Sequence, residues 1–322
     1  MRIRKLLRVR FVVDPFTEQE KIMAELTPMM QKYMETKEQY KDCILFYRLG
    51  DFYEMFFDDA LVASKELEIT LTGKSCGLEE RAPMCGIPYH AVEGYLSKLV
   101  SRGYKVAICE QVEDPKLAKG LVKREVIRVV TPGTNLNVQS LEAGKNNYLL
   151  SIAYTPDGIG ISAADVTTGD YYVTEVEDLK KLNDELMKYE PSEIICNEAF
   201  LVSGFDVNDL KSRLHISVNA LESHMFDDDG CRRILMKHFK VNTLIGLGVE
   251  EFPTGLLAAG ALLQYLYDTQ KTDLEHFTHI YPYLTSKYML LDSSTRRNLE
   301  LTETLREKQK RGSLLWVLDK TK

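Results

Sequence analysis

The amino-acid sequence predicts an α/β protein with two sheet-containing domains and a helical segment after them. Short apolar runs bounded by turn residues alternate with amphipathic stretches, which indicates strands interleaved with helices. The 322 residues suffice for two or three domains. Hydrophobic residues make up 44% and charged residues 28% of the chain, the balance of an ordinary soluble globular protein.

Residues 23–134 form the first predicted domain, a mixed-sheet α/β unit. Thr27-Pro28 favours a helix start, since a hydroxyl residue precedes proline at the first helical position. The apolar run 43–47 predicts a buried strand, which Gly50-Asp51 ends. The remaining predicted elements are helices at 61–67 and 90–102, strands at 69–71, 106–109 and 126–130, and a polar loop at 73–83. The turn signal Thr131-Pro132-Gly133-Thr134 marks the domain edge.

Residues 135–285 form the second predicted domain. Three consecutive strands are predicted at 148–154, 160–166 and 171–176, with turn residues between them. An amphipathic helix at 179–189, a strand at 193–196 and a buried helix at 256–267 follow. Three strands, a helix and a strand form an order compatible with an RNase H-like sheet.

Residues 286–322 differ in character from the two domains before them. Leu291, Thr295, Leu299 and Thr302 share one helical face, and basic residues crowd the surrounding surface. The apolar cluster 314–318 lies close to Lys322. We expect this segment to be the beginning of a helical core domain that is cut short.

Charge is unevenly distributed along the chain, whose formal net charge is −7. Residues 1–22 carry net +3, residues 23–134 net −2 and residues 135–322 net −8. We expect residues 1–22 to be an extension that is either non-native or disordered. Any contact with a polyanion must come from local geometry, since neither domain is strongly basic.

Two further classes are disfavoured by composition. No apolar run approaches the ~18 residues that a membrane span needs. The cysteines form no C-x-x-C pair, and the histidines complete no zinc pattern. We expect the six cysteines to be reduced thiols, as in a cytoplasmic protein. They are Cys43, Cys76, Cys85, Cys109, Cys196 and Cys231.

The tripeptide Phe52-Tyr53-Glu54 is the strongest candidate functional motif. In an extended segment Phe52 and Glu54 point to one face and Tyr53 to the other. This spacing leaves two interpretations open. One is an ordinary strand end with phenylalanine in the core and glutamate in water. The other is a wedge, in which the ring unstacks a base step from the minor groove and the carboxylate hydrogen-bonds a base.

Several motifs in residues 27–134 extend well beyond this tripeptide. They are Thr27-Pro28-Met29-Met30, Leu45-Phe46-Tyr47-Arg48, Gly50-Asp51-Phe52-Tyr53-Glu54, Gly86-Ile87-Pro88-Tyr89-His90-Ala91, Ala107-Ile108-Cys109-Glu110-Gln111 and Thr131-Pro132-Gly133-Thr134. With these motifs the segment closely resembles the mismatch-binding domain of the bacterial MutS family. Residues 148–280 resemble the family's connector domain more loosely. The motifs at 291–300 and 314–319 resemble the opening of its core domain.

The resemblance implies a function for the chain. It assigns base stacking to Phe52 and base hydrogen bonding to Glu54, in recognition of mispaired and small looped-out bases in double-stranded DNA during mismatch repair. It also implies a homodimer, a MutL-type partner contacted by the connector domain, and a cytoplasmic, nucleoid-associated location. Family members use ATP and magnesium. This chain contains no G-x-x-x-x-G-K-[ST] loop, so we expect no cofactor and no ATP hydrolysis from it.

Basic residues of the first domain are further DNA-contact candidates. Lys74 lies in the predicted loop after Leu71, and Lys123-Arg124 precede the last predicted strand. Each side chain could contact a phosphate or be an ordinary solvated surface charge, and the sequence leaves both interpretations open. His90 is assigned a capping or packing role and no catalysis.

A nuclease is the alternative function, because RNase H-like sheets often carry metal-dependent phosphodiester chemistry. That chemistry needs clustered carboxylates that hold two metal ions ~3.5–4 Å apart. The predicted strand 148–154 contains no acid, and Asp165 ends the next strand without companion acids at a matching level. The sequence therefore disfavours a nuclease.

Overall fold

The computed structural model describes residues 25–113, 120–136, 146–287 and 291–319. The chain divides into two compact units, residues 1–129 and 130–322. Residues 1–22, for which an extension is predicted, lie outside the described residues. Each unit contains one six-stranded sheet with helices, which confirms the predicted α/β class.

The first unit is built around a mixed sheet. Its helices are α1 (Pro28–Gln39), α2 (Phe57–Leu67) and α3 (Val92–Val100), with a 3-10 turn at Tyr89–Ala91. Its strands are β1 (Cys43–Leu49), β2 (Phe52–Phe56), β3 (Thr72–Lys74), β4 (Ala82–Pro88), β5 (Lys105–Gln111) and β6 (Arg124–Val130). The strand order is β3-β4-β2-β1-β5-β6, so β2 is an interior strand.

Helices cover both faces of this sheet. On one face Tyr33 of α1 packs edge-on against Tyr47 and Phe56, with ring centroids 5.4 and 4.9 Å apart. On the other face α2 contacts β4, where the Cys85 thiol donates to the Ala60 carbonyl at 3.6 Å. Because α1 covers only part of its face, the end of β2 that carries Phe52 remains accessible.

Two predictions for this unit are wrong. The strand predicted at 69–71 is displaced to Thr72–Lys74, because Glu68 ends α2 in a left-handed conformation (φ +58°) and the chain must turn first. The loop predicted at 73–83 contains parts of two paired strands, with Thr72 opposite Met84 and Lys74 opposite Ala82. Cross-strand pairing thus overrides the turn preference of the glycine in this stretch. Helix α2 also starts earlier than predicted, with two acids in its first turn.

The second unit contains a sheet of order β11-β10-β7-β8-β9-β12. Its strands are β7 (Tyr148–Thr155), β8 (Gly158–Asp165), β9 (Asp170–Val176), β10 (Glu193–Cys196), β11 (Ser217–Ala220) and β12 (Tyr281–Pro282). Its helices are α4 (Leu179–Tyr189), α5 (Glu198–Leu201), α6 (Val207–Ser212), α7 (Asp228–Phe239), α8 (Pro253–Gln270), α9 (Ser293–Asn298) and α10 (Leu314–Leu318). Four 3-10 turns lie at Pro132–Thr134, Ser223–Phe226, Ile245–Leu247 and Thr285–Lys287. The predicted order of three strands, a helix and a strand is confirmed, and β7, β8 and β9 are antiparallel.

Carboxylates that bond backbone groups organise this second unit. Glu175 accepts from the backbone nitrogens of Thr254 and Gly255 and so caps the first turn of α8. Glu193 is fully buried and accepts from the Gly133 nitrogen at 3.0 Å and the Tyr265 hydroxyl at 2.7 Å. The carboxylates therefore bond polar groups that would otherwise be buried without partners.

The segment after residue 290 differs from its prediction. Thr302 does not share a continuous helical face with Leu291, because α9 ends at Asn298. Glu300 takes a left-handed conformation (φ +46°), and its carbonyl accepts from the Leu314 nitrogen of α10 at 2.8 Å. The side chains of α10 are largely exposed. None of the helices in the described ranges combines the length and apolar character that crossing a bilayer requires.

Glycine at position 160 permits helix α8 to approach β8 closely. A Cβ atom there would lie 2.0 Å from the Thr254 carbonyl oxygen, whereas a Cβ at Gly246 would meet no atom within 4 Å. We predict that Gly160→Ala lowers the free energy of unfolding by about 1–3 kcal/mol, because α8 must move away from the sheet. Gly246→Ala, the control, should change it by less than about 0.5 kcal/mol. Urea unfolding followed by circular dichroism provides the measurement, and equal midpoints for both variants would contradict the packing argument.

Candidate nucleic-acid interface

Strand β2 presents Phe52 and Glu54 from a hairpin held on both sides. Gly50 begins the turn from β1 with φ +58°, a conformation that favours glycine. Leu49 and Pro88 lie opposite Phe52 on the two neighbouring strands, and Tyr47 and Gly86 lie opposite Glu54. This double pairing fixes which face each side chain occupies.

Exposure along β2 is unusual for an apolar strand. Phe52 is 47% exposed, whereas Tyr53 is 4% and Phe56 1% exposed. The Glu54 side chain, on the same face as Phe52, keeps only 16% of its surface in solvent. The interpretation of an ordinary strand end, with phenylalanine in the core and glutamate in water, is therefore wrong. The aromatic ring is exposed and the carboxylate is mostly covered.

Arg48 braces the hairpin from the opposite face of the sheet. Its Nε donates to the Gly50 carbonyl in the turn, and its guanidinium lies 3.9 Å from the centroid of the Tyr89 ring. Its Nη1 lies 3.3 Å from Glu110 Oε1, which also accepts from the Tyr53 hydroxyl. Burial, followed by this bond to Glu110, raises the pKa of Tyr53, so the hydroxyl remains a donor at neutral pH.

The 3-10 turn after β4 gives the hairpin a second support. The Tyr89 nitrogen donates to the Asp51 carbonyl at 2.9 Å. The Tyr89 ring is 43% exposed, and the His90 ring packs edge-on against it at 5.7 Å. Backbone and side chain of Tyr89 therefore both contact the segment that precedes Phe52.

Lys74 is paired with Glu54 and lies on a strand instead of the predicted loop. Its Nζ is 2.5 Å from Glu54 Oε2, and 34% of the lysine side chain is exposed. Gly86 lies opposite Glu54 on β4, and a Cβ there would lie 3.6 Å from Glu54 Cγ. The structure thus places Phe52 and Glu54 on one sheet face, and the Lys74 side chain reaches Glu54 along that face from β3, past Phe56.

Lys123 and Arg124 lie apart from that group, at the β6 edge of the sheet. Lys123 pairs with Glu125 at 2.5 Å, and this hydrogen bond raises the pKa of its ammonium. The Arg124 side chain reaches inward: its Nε donates to the Arg48 carbonyl at 2.7 Å, and its guanidinium lies 5.3 Å from the Tyr47 ring centroid. Arg124 therefore takes part in packing of the sheet, and whether either residue touches phosphate stays a prediction.

Sequence reasoning missed the roles of Arg48, Tyr89 and Glu110. Each lies inside one of the motifs of residues 27–134, but none was assigned a contact. The available signal was charge: Arg48 and Glu110 each follow an apolar run and are the penultimate residue of their strand. Parallel pairing of Tyr47 with Cys109 then places the two charges side by side.

Asp165, the acid considered for a nuclease, is a structural group in this fold. One carboxylate oxygen accepts from the Asn147 nitrogen at 3.0 Å, and the other from the Thr167 nitrogen at 2.8 Å and its hydroxyl at 2.6 Å. Within the described ranges, no three His, Cys, Asp or Glu side chains are grouped as metal ligands would be. These observations give no support to the nuclease alternative.

The cysteines show the chemistry of packed side chains. All six lie in the described ranges, and each is a buried free thiol. Burial raises the pKa of Cys85 and Cys109 to about 12, so their reactive thiolate form is scarce at neutral pH.

Comparison with known proteins adds an independent line of evidence. The model of MutS domain I matches residues 27–139, and that of MutS domain II matches residues 147–278. A DNA mismatch repair protein MutS from Lachnoclostridium phytofermentans is 70% identical over 300 residues, 93% of this chain and 32% of that protein. Proteins of the same name from Ruminiclostridium cellulolyticum and Acetivibrio thermocellus are each 54% identical over 93% of this chain and 34% of their own length. The chain thus spans about a third of these relatives, and it belongs to the MutS family, whose domains I and II it carries.

Proposed function

We propose that this chain recognises mispaired or unpaired bases in double-stranded DNA, as part of post-replicative mismatch repair. The observation that carries the proposal is the exposed Phe52 ring beside the Glu54 carboxylate on one face of a doubly paired strand. The names of the relatives and the match to MutS domain I support the same function.

Phe52 supplies the stacking contact in this proposal. An aromatic ring on a base contributes about 1–3 kcal/mol without preference for the base's identity. The opposing term is the free energy of unstacking the duplex, which is smaller where pairing is already defective. Stacking therefore favours a lesion without reading its sequence. Braced by Arg48 and Tyr89, the ring loses little conformational freedom on insertion.

Glu54 supplies discrimination. A carboxylate near phosphates disfavours every duplex electrostatically. At a lesion the loss is offset by a hydrogen bond to an exposed base, worth about 1.5–3 kcal/mol for a charged partner. In a stacked, matched base pair the Watson–Crick donors and acceptors are already used, so the carboxylate finds fewer partners there. The glutamate thus raises the ratio of lesion to matched affinity instead of raising overall affinity.

We propose that further functions of the family involve the second unit or a longer protein. The surface of residues 148–280 would contact a MutL-type partner in a homodimeric assembly, and the net charge of −8 on residues 135–322 disfavours DNA as its main ligand. ATP and magnesium would bind outside residues 1–322, which contain no P-loop sequence.

Replacing Phe52 tests the stacking contact. We predict that Phe52→Ala removes most of the discrimination between a G·T-containing and a matched duplex, a loss of about 1–3 kcal/mol. Its unfolding midpoint should stay close to wild type, because the ring is exposed. Phe56→Ala, on the same strand and face but buried, should instead lose about 3–5 kcal/mol of stability. A Phe52→Ala protein that melts as early as Phe56→Ala would assign Phe52 to the core.

Replacing Glu54 tests discrimination by charge. We predict that Glu54→Ala and Glu54→Gln both bind matched duplex more tightly, with Gln keeping part of the mismatch contact through its amide. Glu66→Gln is the matched control, because Glu66 pairs with Arg102 at 2.5 Å and extends from α2, which covers the opposite face. Fluorescence anisotropy at two salt concentrations gives the affinities. Matched-duplex affinity that stays flat or falls in both Glu54 variants would show that repulsion plays no part.

Replacing Arg48 tests the brace under the hairpin. We predict that Arg48→Met weakens mismatch binding by roughly 1 kcal/mol, because the Gly50 carbonyl loses a charged donor. Amide exchange at Asp51 and Phe52 should accelerate in the same variant. Arg102→Met is the control, since Arg102 also donates to a backbone carbonyl and pairs with a glutamate. Faster amide exchange with unchanged mismatch binding would show that the Arg48 contacts are not needed for recognition.

A further inference from the structure

The carboxylate proposed to bond a base already has a partner within this chain. Lys74 Nζ lies 2.5 Å from Glu54 Oε2, and the two residues are on different strands, separated by β4. Only 16% of the Glu54 side chain is exposed, so little of the carboxylate is open to a base. A base that bonds Oε2 in place of the lysine must displace the ammonium.

We propose that Lys74 is a specificity-determining residue that exchanges partners when the protein engages a lesion. This inference rests on the proposed function of Phe52 and Glu54. On a matched duplex the pair stays closed, and the ammonium is held on Glu54 instead of a phosphate. At a lesion the unpaired base takes the carboxylate from Lys74, and the freed ammonium binds a phosphate oxygen.

Geometry supports an exchange over a fixed pair. Lys74 is on β3, a three-residue strand at the edge of the sheet, and a third of its side chain is in solvent. Its ammonium lies 5.6 Å from the Phe56 ring centroid, so the long side chain lies along the sheet face. Glu54 projects from an interior strand paired on both sides. The lysine is thus the mobile partner, and the carboxylate stays in place for the base.

An ion pair that opens on binding changes the DNA affinity in a way that a fixed ion pair does not. Opening the pair opposes lesion binding, whereas no pair opens on matched DNA. Removing either residue abolishes that opposition. In a double-mutant cycle on a lesion, Lys74→Met with Glu54→Gln should therefore lose more affinity than the two single variants combined, by about two- to fivefold. On matched DNA the two substitutions should be additive, with Glu54→Gln tighter, Lys74→Met weaker and the double variant near wild type.

The experiment uses the 322-residue chain and its three variants with a duplex that carries one central G·T mispair and with the matched duplex, at low ionic strength. A second cycle, Arg102→Met with Glu66→Gln, is the control, because this pair has the same 2.5 Å separation on the opposite face. A DNA-free measurement accompanies both: the rate at which an amine-reactive acylating reagent modifies Lys74, with Lys123 as the internal reference. Glu54→Gln should accelerate modification of Lys74 about two- to fivefold and leave Lys123 unchanged.

The outcomes distinguish failure of the partner exchange from failure of the proposed function. Coupling on the mispaired duplex alone, together with faster acylation in Glu54→Gln, supports the exchange. Additivity on both duplexes, equal coupling on both, or unchanged acylation overturns it while leaving Phe52 stacking intact. A wild-type chain that binds the two duplexes equally, with Phe52→Ala no different, overturns the proposed function and the exchange with it.

Discussion

The interface depends on the register of β2 between its two neighbours. A strand shifted by one residue turns every side chain to the other face. Here that shift would place Phe52 and Glu54 against the face that α2 covers and would expose Tyr53 instead. The register is set by pairing of Phe52 with Leu49 and Pro88, and by the bond from the Tyr89 nitrogen to the Asp51 carbonyl. The accessible ring and its carboxylate exist because those backbone bonds hold.

The same register divides the polar groups into two sets with different roles. Arg48, Tyr53 and Glu110 lie behind the sheet, where their mutual bonds support the turn. Glu54 and Lys74 lie in front, where a single ion pair is the main contact of the carboxylate. The several bonds among Arg48, Tyr53 and Glu110 resist rearrangement, whereas the single, partly exposed pair of Glu54 and Lys74 can open. Rigidity behind and adaptability in front are what an inserted ring and a base-bonding carboxylate each require.

Local patterns in the sequence predicted most elements but few long-range contacts. Apolar runs and turn residues located β1, β7, β8, β9 and β10, and amphipathic spacing located α1 and α4. The pattern failed at β3, where pairing with β4 outweighs a glycine that reads as a turn. Glu54 and Phe52 were identified because alternation alone puts them on one face. Lys74 is 20 residues from Glu54 and Glu110 is 62 from Arg48, so no periodicity connects them.

The near-neutral charge of the first domain is consistent with the selective binding that we propose. A strongly basic surface would bind every duplex tightly, because phosphate contacts carry no information on pairing. With net −2 on residues 23–134, the proposed recognition gains little from overall attraction and depends on the few side chains that a lesion would engage. In the proposed exchange Lys74 follows the same logic, since its ammonium becomes available to phosphate only when a base has replaced it on Glu54. In this domain weak general binding is therefore a condition of selectivity.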